Sequence, residues 1–345
     1  MSAPLHQPSA FAGRVETPLL ESRLLRGNRA GDPHAREVCV YLPPDAGRGG
    51  ERLPQVWLLA SYTGTARGFL ETHPWRRGVV AHYDAEVAAG RAPRAILVLP
   101  DCFTRFGGSQ YVNSEFLGPY EDYLVREVAP FVDARYPTRD GPRGVAGKSS
   151  GGFGALRLGL RHPELFGAVG SISGDVAFED SLWPELLALC RALVPHRGDP
   201  ARFLADFAVE PELGGDGHAA INALAMAACY SPNLDAPLGF DLPVDLVTGA
   251  RIESVWRRWL AFDPLHAVGE HAANLKRLRL LHLECGLRDE YHLQWGTRRL
   301  SARLRDLGVP HQHEEHEGGH RGLDHRLLAL LPKLVAALVA ALDGA

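Results

Sequence analysis

The stretch Gly-Lys-Ser-Ser-Gly-Gly at residues 147–152 constrains the fold of this chain more than any other. It follows Arg-Gly-Val-Ala at 143–146, typical of a short buried strand, and precedes small and aliphatic residues at 153–160 that favour a helix. A strand, a glycine-bounded serine and a helix predict a sharp turn that holds the hydroxyl of Ser149 clear of the backbone. A bare G-x-S-x-G is a weak pattern, so a Gly/Ser-rich loop without chemistry is the alternative that the rest of the chain must exclude.

Apolar runs alternate along the chain with segments of helical spacing. Residues 55–60 form a continuous apolar run, as strands buried on both faces of a parallel sheet do, 95–100 predict another such strand, and 166–172 are a further predicted strand. Helical spacing occurs around 76–89 and 120–133. This alternation predicts an α/β fold, in which a mostly parallel, doubly wound sheet with right-handed crossovers is flanked by helices.

Residues 173–241 interrupt the alternation, because helical pieces there lie among prolines and glycines. We expect a helical insertion at about 175–240, after the sixth strand, that covers the C-terminal edge of the sheet as a lid or cap. Two strands are predicted within 14–42, and a further strand at 242–247. Since the chain has no internal repeat and no low-complexity segment, we predict a single domain over residues 1–345.

A carboxylate for a serine-based site follows a late predicted strand. A serine nucleophile needs a base to take its proton, and an acid to orient that base and stabilise its cation. In α/β sheets of this kind the acid follows the serine and lies in a loop at the carboxyl end of a strand. The loop after the predicted strand 278–284 contains Asp289, the natural acid. Glu290 is the alternative, although we expect it to begin the next helix.

The base is predicted in the loop after the last strand, 311–317. This loop reads Gly-Gly-His-Arg-Gly at 318–322, and two glycines free His320 just before the final helix. Serine, acid and histidine therefore occur in the required order, each directly after a predicted strand. Because chance agreement of all three is much rarer than agreement of one, we predict a triad of Ser149, Asp289 and His320.

An oxyanion formed at such a serine needs two backbone donors. Ser150 supplies the first, because its N–H directly follows the nucleophile and opens the helix. The second is expected from the loop after strand 55–60, which reads Ser-Tyr-Thr-Gly at 61–64 and lacks the H-G-G-G form of many lipases. We predict the N–H of Tyr62, with Thr63 as the alternative donor. An ordinary strand-to-helix turn is the other interpretation of this loop.

Five motifs together resemble the esterase D-like group of α/β hydrolases, which includes S-formylglutathione hydrolases, enterochelin esterase-like enzymes and mycolyltransferases. The motifs are Leu-Ala-Ser-Tyr-Thr-Gly at 59–64, Val-Leu-Pro-Asp at 98–101, Tyr-Glu-Asp-Tyr-Leu at 120–124, Ala-Gly-Lys-Ser-Ser-Gly-Gly at 146–152 and Glu-Gly-Gly-His at 317–320. The resemblance runs from about residue 36 to the C-terminus and is weakest across 175–240.

The resemblance implies an α/β-hydrolase fold and a cofactor-independent serine esterase that works through an acyl-enzyme. Carried over by motif, the site residues are the nucleophile Ser149, the acid Asp289, the base His320 and the oxyanion donors Tyr62 and Ser150. The sequence departs from many relatives at Ser61, where glycine is frequent, and at Lys148. An acyltransferase or thioesterase with the same triad is the nearest alternative, and a non-catalytic binding protein of the same fold is a further one.

Aromatic residues cluster in the loop 101–119, which follows a central strand near the expected place of Ser149. We predict that Phe103, Phe106 and Tyr111 line a pocket for the substrate. The alternative is that these rings only anchor a long loop in the core.

The run His-Gln-His-Glu-Glu-His-Glu at 311–317, with His320 beyond it, raises the alternative of a metal-dependent site. Histidine and carboxylate ligands do suit zinc. The run does not form H-E-x-x-H, however, and its spacing indicates a polar edge strand. We therefore predict that neither a metal nor another cofactor is bound.

Composition limits the classes of binding partner and the cellular compartment that we expect for this chain. The formal net charge is −4 and no long basic run occurs, so nucleic acid is not an expected partner. Five cysteines without a C-x-x-C pair, and an N-terminus without a signal-peptide pattern, fit the cytoplasm. The apolar stretch 327–342 is too short and too broken to span a bilayer, so we expect a buried closing helix or a homo-oligomer contact. The expected partner is a small-molecule ester.

Overall fold

A nine-stranded sheet forms the centre of the computed structural model, which describes residues 11–71, 77–211 and 214–340. The strands in chain order are β1 (Arg14–Glu16), β2 (Leu19–Glu21), β3 (Ala35–Leu42), β4 (Gln55–Leu59), β5 (Ile96–Pro100), β6 (Asn113–Ser114), β7 (Gly118–Pro119), β8 (Arg143–Lys148), β9 (Phe166–Ile172), β10 (Leu280–Gly286) and β11 (Gln312–His316). Strands β6 and β7 form a separate hairpin, and the sheet has the order β1-β3-β5-β4-β8-β9-β10-β11, with β2 also paired to β3. Neighbours from β5 to β11 are parallel, whereas β1, β2 and β5 run antiparallel to β3. This topology confirms the predicted α/β fold class.

Both faces of the sheet are buried, as the continuous apolar runs predict. Every residue of β4, β5 and β9 is buried. Within β4, Trp57 and Leu59 belong to one hydrophobic core and Val56 and Leu58 to another. Because successive side chains of a strand point to opposite faces, the two cores lie on the two sides of the sheet.

Helices cover both cores. In chain order they are α1 (Val79–Ala88), α2 (Tyr120–Asp122), α3 (Ala129–Arg135), α4 (Ser150–Arg161), α5 (Phe178–Ser181), α6 (Trp183–Ala192), α7 (Pro200–Val209), α8 (Gly215–Tyr230), α9 (Glu253–Leu260), α10 (Pro264–Ala267), α11 (Ala272–Leu275), α12 (Leu293–Asp306) and α13 (Asp324–Val339). A π-helical segment, Tyr123–Val128, joins α2 and α3 end to end. Helices α1 and α13 fill the core on the Val56 side, and α3, α4, α8 and α12 fill the core on the Trp57 side.

The chain between β9 and β10 departs from simple alternation, as expected. Its first part, residues 175–240, contains helices α5, α6, α7 and α8 among the described residues, and α6 packs against α8. No helix in the described part of the chain is both long and apolar enough to cross a membrane.

Two predictions about strands are wrong. Residues 242–247 form a turn, because Asp245 Oδ1 accepts the N–H groups of Val247 and Thr248 at 3.1 and 2.7 Å and curls the chain away from a sheet. The segment 14–42 holds three strands and not two, since a two-residue break separates β1 from β2, and both of these strands pair with β3. The predicted helix at 76–89 begins at Val79 in the structure, and residue 76 lies outside the described residues.

Candidate active site

Ser149 lies in the turn between β8 and α4, with φ 56° and ψ −127°, a conformation that non-glycine residues rarely adopt. The glycines on either side make this turn possible. A Cβ on Gly147 would lie 2.7 Å from the carbonyl oxygen of Leu59, and one on Gly151 would lie 2.9 Å from that of Ala60. The end of β4 thus approaches the turn so closely that only glycine fits at both positions.

The three residues of the predicted triad meet at one edge of the sheet. Ser149 Oγ lies 3.0 Å from His320 Nε2, and His320 Nδ1 lies 2.8 Å from Asp289 Oδ2. Ser149 follows β8, Asp289 follows β10 and His320 follows β11. The parallel pairing of β8, β9, β10 and β11 brings the carboxyl ends of these strands side by side. Residues separated by 171 positions in the chain are therefore in hydrogen-bond contact.

The environment of Asp289 favours its ionised form. Burial by itself raises the pKa of this carboxyl, but hydrogen bonds from His320 and from the N–H of Tyr291 outweigh burial and leave the pKa below its usual value. The Tyr291 N–H reaches Asp289 Oδ1 at 3.0 Å. The ring of Tyr291 also packs edge-on against the His320 ring, with centroids 4.7 Å apart. An ionised, buried carboxylate therefore lies on the far side of the imidazole from Ser149.

Glu290 contacts the same histidine at a different atom. Its Oε2 accepts the backbone N–H of His320 at 2.6 Å, and this hydrogen bond lowers the pKa of the Glu290 carboxyl. Gly319 leaves room for the contact, because a Cβ there would lie 2.8 Å from both carboxylate oxygens of Glu290. Glu290 was expected to begin a helix, which is wrong: α12 begins at Leu293, and Glu290 lies in the preceding turn.

The backbone donors predicted for an oxyanion lie on two different segments. Ser150 is the first residue of α4, so its N–H has no acceptor within that helix. The N–H of Tyr62 makes no hydrogen bond to any residue that the structure describes. The N–H of Thr63, by contrast, is bound to the carbonyl oxygen of Gly107 at 2.8 Å. Of the two candidates in this loop, Tyr62 is therefore the one whose N–H is available to a ligand.

A cavity of about 470 Å³ opens beside Ser149 and His320. Polar and apolar atoms contribute about equally to its surface, and part of the lining comes from residues 175–240. The lining residues are Ser61, Tyr62, Thr63, Lys148, Ser149, Ser150, Asp175, Ser181, Leu182, His218, Asn222, Tyr291, His320 and Arg321. A cavity with a hydroxyl, an imidazole and converging backbone donors is suited to attack on a carbonyl carbon.

Sequence reasoning missed Asp175 in this cavity. Burial is the main reason why the pKa of its carboxyl is raised to about 6. The charge of His320 lowers this pKa, and the charges of Asp289 and Glu185 raise it further. Asp175 lies three residues after the end of β9, and a polar residue directly after a central strand is a signal that could have found it. The contributions of Ser181, His218 and Asn222 have no comparable local signal, because nothing in a helical sequence shows which side chains face a distant serine.

The aromatic residues predicted to line the pocket do not line it. Phe106 is buried against Phe116 and Phe240, with ring centroids 5.9 and 5.8 Å away. Tyr111 is buried and donates its hydroxyl to the carbonyl oxygen of Ala60 at 2.6 Å. Phe103 is one of the exposed apolar side chains. For Phe106 and Tyr111 the prediction was wrong because these rings anchor the long loop in the core.

The histidine run occupies the last strand of the sheet, as its polar spacing indicates. Within the described residues, His282, Glu284 and Glu314 are close enough together to hold a metal ion. The side chain of Arg326 contacts both carboxylates of this cluster, and Lys333 Nζ lies 2.6 Å from Glu314 Oε1. Two cations of the chain thus already balance the two carboxylates, and the absence of a metal stays a prediction.

Comparison with known proteins places the chain among esterases. The family model "Esterase", described as "Putative esterase", matches residues 33–328. A ferulic acid esterase structure shares 22% identity over 95% of this chain and 99% of its own, with a TM-score of 0.59. S-formylglutathione hydrolase from Staphylococcus aureus shares 16% identity over 94% and 99%, with a TM-score of 0.56. The enterobactin esterase from Shigella flexneri shares 20% identity over 94% of this chain and 59% of its own, with a TM-score of 0.56.

Proposed function

This chain belongs to the esterase family, and we propose that it is a serine ester hydrolase whose catalytic triad is Ser149, His320 and Asp289. The observation that carries this assignment is one continuous line of hydrogen-bonding atoms. It runs from Ser149 Oγ to His320 Nε2 at 3.0 Å, and from His320 Nδ1 to Asp289 Oδ2 at 2.8 Å. Nucleophilic catalysis by a serine needs a base within hydrogen-bond reach and a third group that orients the base.

The first half of the reaction forms an acyl-serine. His320 Nε2 takes the hydroxyl proton while Ser149 Oγ bonds to the ester carbonyl carbon. The carbonyl oxygen becomes an oxyanion, which the N–H groups of Tyr62 and Ser150 bind. As the tetrahedral intermediate collapses, the bond to the alcohol oxygen breaks and His320 gives its proton to the leaving alcohol. Asp289, ionised throughout, stabilises the imidazolium formed between these two steps.

The second half of the reaction hydrolyses the acyl-serine and releases the carboxylic acid product. Water enters the cavity, His320 Nε2 takes one of its protons, and the remaining hydroxide oxygen bonds to the acyl carbon. The same two N–H groups bind the second oxyanion. Collapse breaks the bond to Ser149 Oγ, which regains its proton from His320, and the carboxylic acid leaves. The cycle uses only groups of this chain and one water molecule.

An ester with a short acyl chain is the substrate that the lining residues favour. Among the described residues that line the cavity, Leu182 is the only aliphatic one, so a long alkyl chain would find few apolar side chains to pack against. Residues 175–240 supply Asp175, Ser181, Leu182, His218 and Asn222 to the lining. This contribution supports a role for the insertion as a cap over the site. The five unpaired cysteine thiols support a cytoplasmic location.

Turnover of p-nitrophenyl esters tests the proposal. We expect kcat/KM to fall from acetate to butyrate to octanoate, and we expect Ser149→Ala to lose turnover down to the buffer rate. The matched control is Ser301→Ala, which removes a buried hydroxyl on α12 outside the cavity. Full turnover by Ser149→Ala would contradict the triad, and a preference for octanoate would contradict the substrate class.

A further inference from the structure

We infer that the loop segment 104–111 fixes the spacing between the two proposed oxyanion donors, and that Gln110 and Tyr111 are positioning residues for the reaction. The inference rests on the proposed function, because it concerns the N–H groups of Tyr62 and Ser150. These two donors belong to separate segments, the loop after β4 and the start of α4. Besides the pairing of β4 with β8 and the hydrogen bond from Ser61 Oγ to the carbonyl oxygen of Lys148, the segment 104–111 is bonded to both.

On the helix side, the contact is made by Gln110. Its Nε2 donates to Ser150 Oγ at 2.7 Å, and both side chains are buried. Because Ser150 is the first residue of α4, this hydrogen bond holds the residue whose N–H is the first donor. The hydroxyl of Ser150 thus helps to fix the position of the Ser150 N–H and does not act as a nucleophile.

On the β4 side, three hydrogen bonds surround Tyr62. The Tyr111 hydroxyl donates to the carbonyl oxygen of Ala60 at 2.6 Å, and the N–H of Thr63 donates to that of Gly107 at 2.8 Å. The hydroxyl of Tyr62 itself donates to the carbonyl oxygen of Phe106 at 2.8 Å. Residues before, at and after the second donor are thus all bonded to the segment that also contacts Ser150.

The segment is itself held in an unusual shape. Gln110 and Tyr111 have φ angles of 51° and 55°, so two consecutive non-glycine residues are left-handed. Such backbone persists only where the surroundings over-determine it. Here the Tyr111 ring packs on α4 where Gly154 leaves space, since a Cβ on Gly154 would lie 2.7 Å from Tyr111 Cγ. A rigid segment, seated on the same helix, can set a distance that a mobile loop could not.

The chemical consequence follows from how an oxyanion is stabilised. Donors act on the transition state only if they are already placed where the charge develops, and small displacements of such groups reduce the rate strongly. Substrate binding in the ground state depends much less on that spacing. Loosening the segment should therefore lower kcat with little change in KM.

Tyr111→Phe and Gln110→Met test the inference, because each removes a hydrogen bond and keeps most of the side-chain volume. The matched control is Tyr123→Phe, since the Tyr123 hydroxyl is buried and makes no hydrogen bond among the described residues. The readouts are kcat and KM per active site, with sites counted by a fluorophosphonate, and the affinity of an alkyl boronic acid that forms a tetrahedral adduct. Counting sites removes the effect of any misfolded fraction.

We expect each of the two variants to lose about tenfold to a hundredfold in kcat and a similar factor in boronic acid affinity, with KM within about threefold of wild type. The control should stay within about twofold of wild type in all three. If Ser149→Ala abolishes turnover but Tyr111→Phe and Gln110→Met match the control, the inference is overturned and the proposed function stands. If Ser149→Ala retains turnover, the proposed function is overturned and the inference falls with it.

Discussion

The side chain of Glu290 binds the main chain of His320, because Oε2 of Glu290 accepts the backbone N–H of His320 at 2.6 Å. The neighbouring carboxylate of Asp289 contacts the imidazole of the same residue at Nδ1. Two adjacent acids in the loop after β10 therefore fix one histidine in the loop after β11, one by its backbone and the other by its ring. The sequence offered both acids as partners of the base, and the structure gives each a separate contact.

Asp289→Asn should nearly abolish turnover. An amide cannot stabilise the imidazolium, and its NH₂ group favours the wrong tautomer of His320. The corresponding change in serine protease triads reduces kcat by about 10⁴-fold, and we expect a loss of about 10³- to 10⁴-fold here. Steady-state kinetics on p-nitrophenyl acetate measures it, with kcat falling far more than KM rises. A loss below about tenfold would show that Asp289 is not the acid of the triad.

Glu290→Gln should have a much smaller effect. The amide oxygen can still accept the His320 N–H, but the charge that strengthens this hydrogen bond is lost. We expect kcat to fall by about three- to tenfold. Glu317→Gln, which neutralises an exposed carboxylate in the same region, is the control and should leave kcat unchanged. A Glu290→Gln variant as inactive as Asp289→Asn would contradict the minor role assigned to Glu290.

Gly151→Ala should prevent formation of the turn at Ser149. Its Cβ would lie less than 3 Å from backbone atoms of both Leu59 and Ala60, which belong to a buried strand end and cannot move aside. We expect a loss of at least about 3 kcal/mol in the free energy of unfolding, measured by urea titration. Gly214→Ala is the control, because a Cβ there meets nothing within 4 Å. Equal stability of the two variants would contradict the close approach of β4 to the turn.

Asp175 should make stability depend on pH. Its pKa of about 6 in the folded protein lies above the ordinary value of 3.8, so between these values the folded state binds more protons than the unfolded state. Stability contributed by the protonated carboxyl is therefore lost as pH rises through 6. The free energy of unfolding of Asp175→Asn, relative to wild type, should rise by about 3 kcal/mol or less between pH 4 and pH 7. A difference that is constant across this range would contradict the raised pKa.

The contacts between Ser149, Asp289 and His320 could be anticipated because each residue directly follows a strand. The strands can be recognised from their apolar runs or, for β11, from its polar spacing, and parallel strands end at a common edge, so order along the chain translates into proximity. The glycines at 147 and 151 could also be anticipated, since a sharp turn that carries a serine at the end of a strand needs glycine on both sides.

The cavity could not be anticipated in the same way. His218 and Asn222 reach it from α8, a helix buried along most of its length, whose sequence does not distinguish a core-facing position from a site-facing one. Phe106 and Tyr111 were placed in the cavity because they lie near Ser149 in the fold, yet their rings turn into the core. The direction in which a side chain faces depends on packing against residues that are distant in the chain, and the local sequence does not indicate it.

Labelling with a fluorophosphonate, followed by mass spectrometry of the tryptic peptides, tests the central claim most directly. The reagent forms a stable adduct only with a serine whose hydroxyl is activated by a base. We expect one adduct per chain, located on Ser149, that disappears in Ser149→Ala and is still formed on Ser149 in Ser150→Ala. An adduct on Ser150, or no adduct on either serine in the folded wild-type protein, would contradict the assignment of Ser149 as the nucleophile.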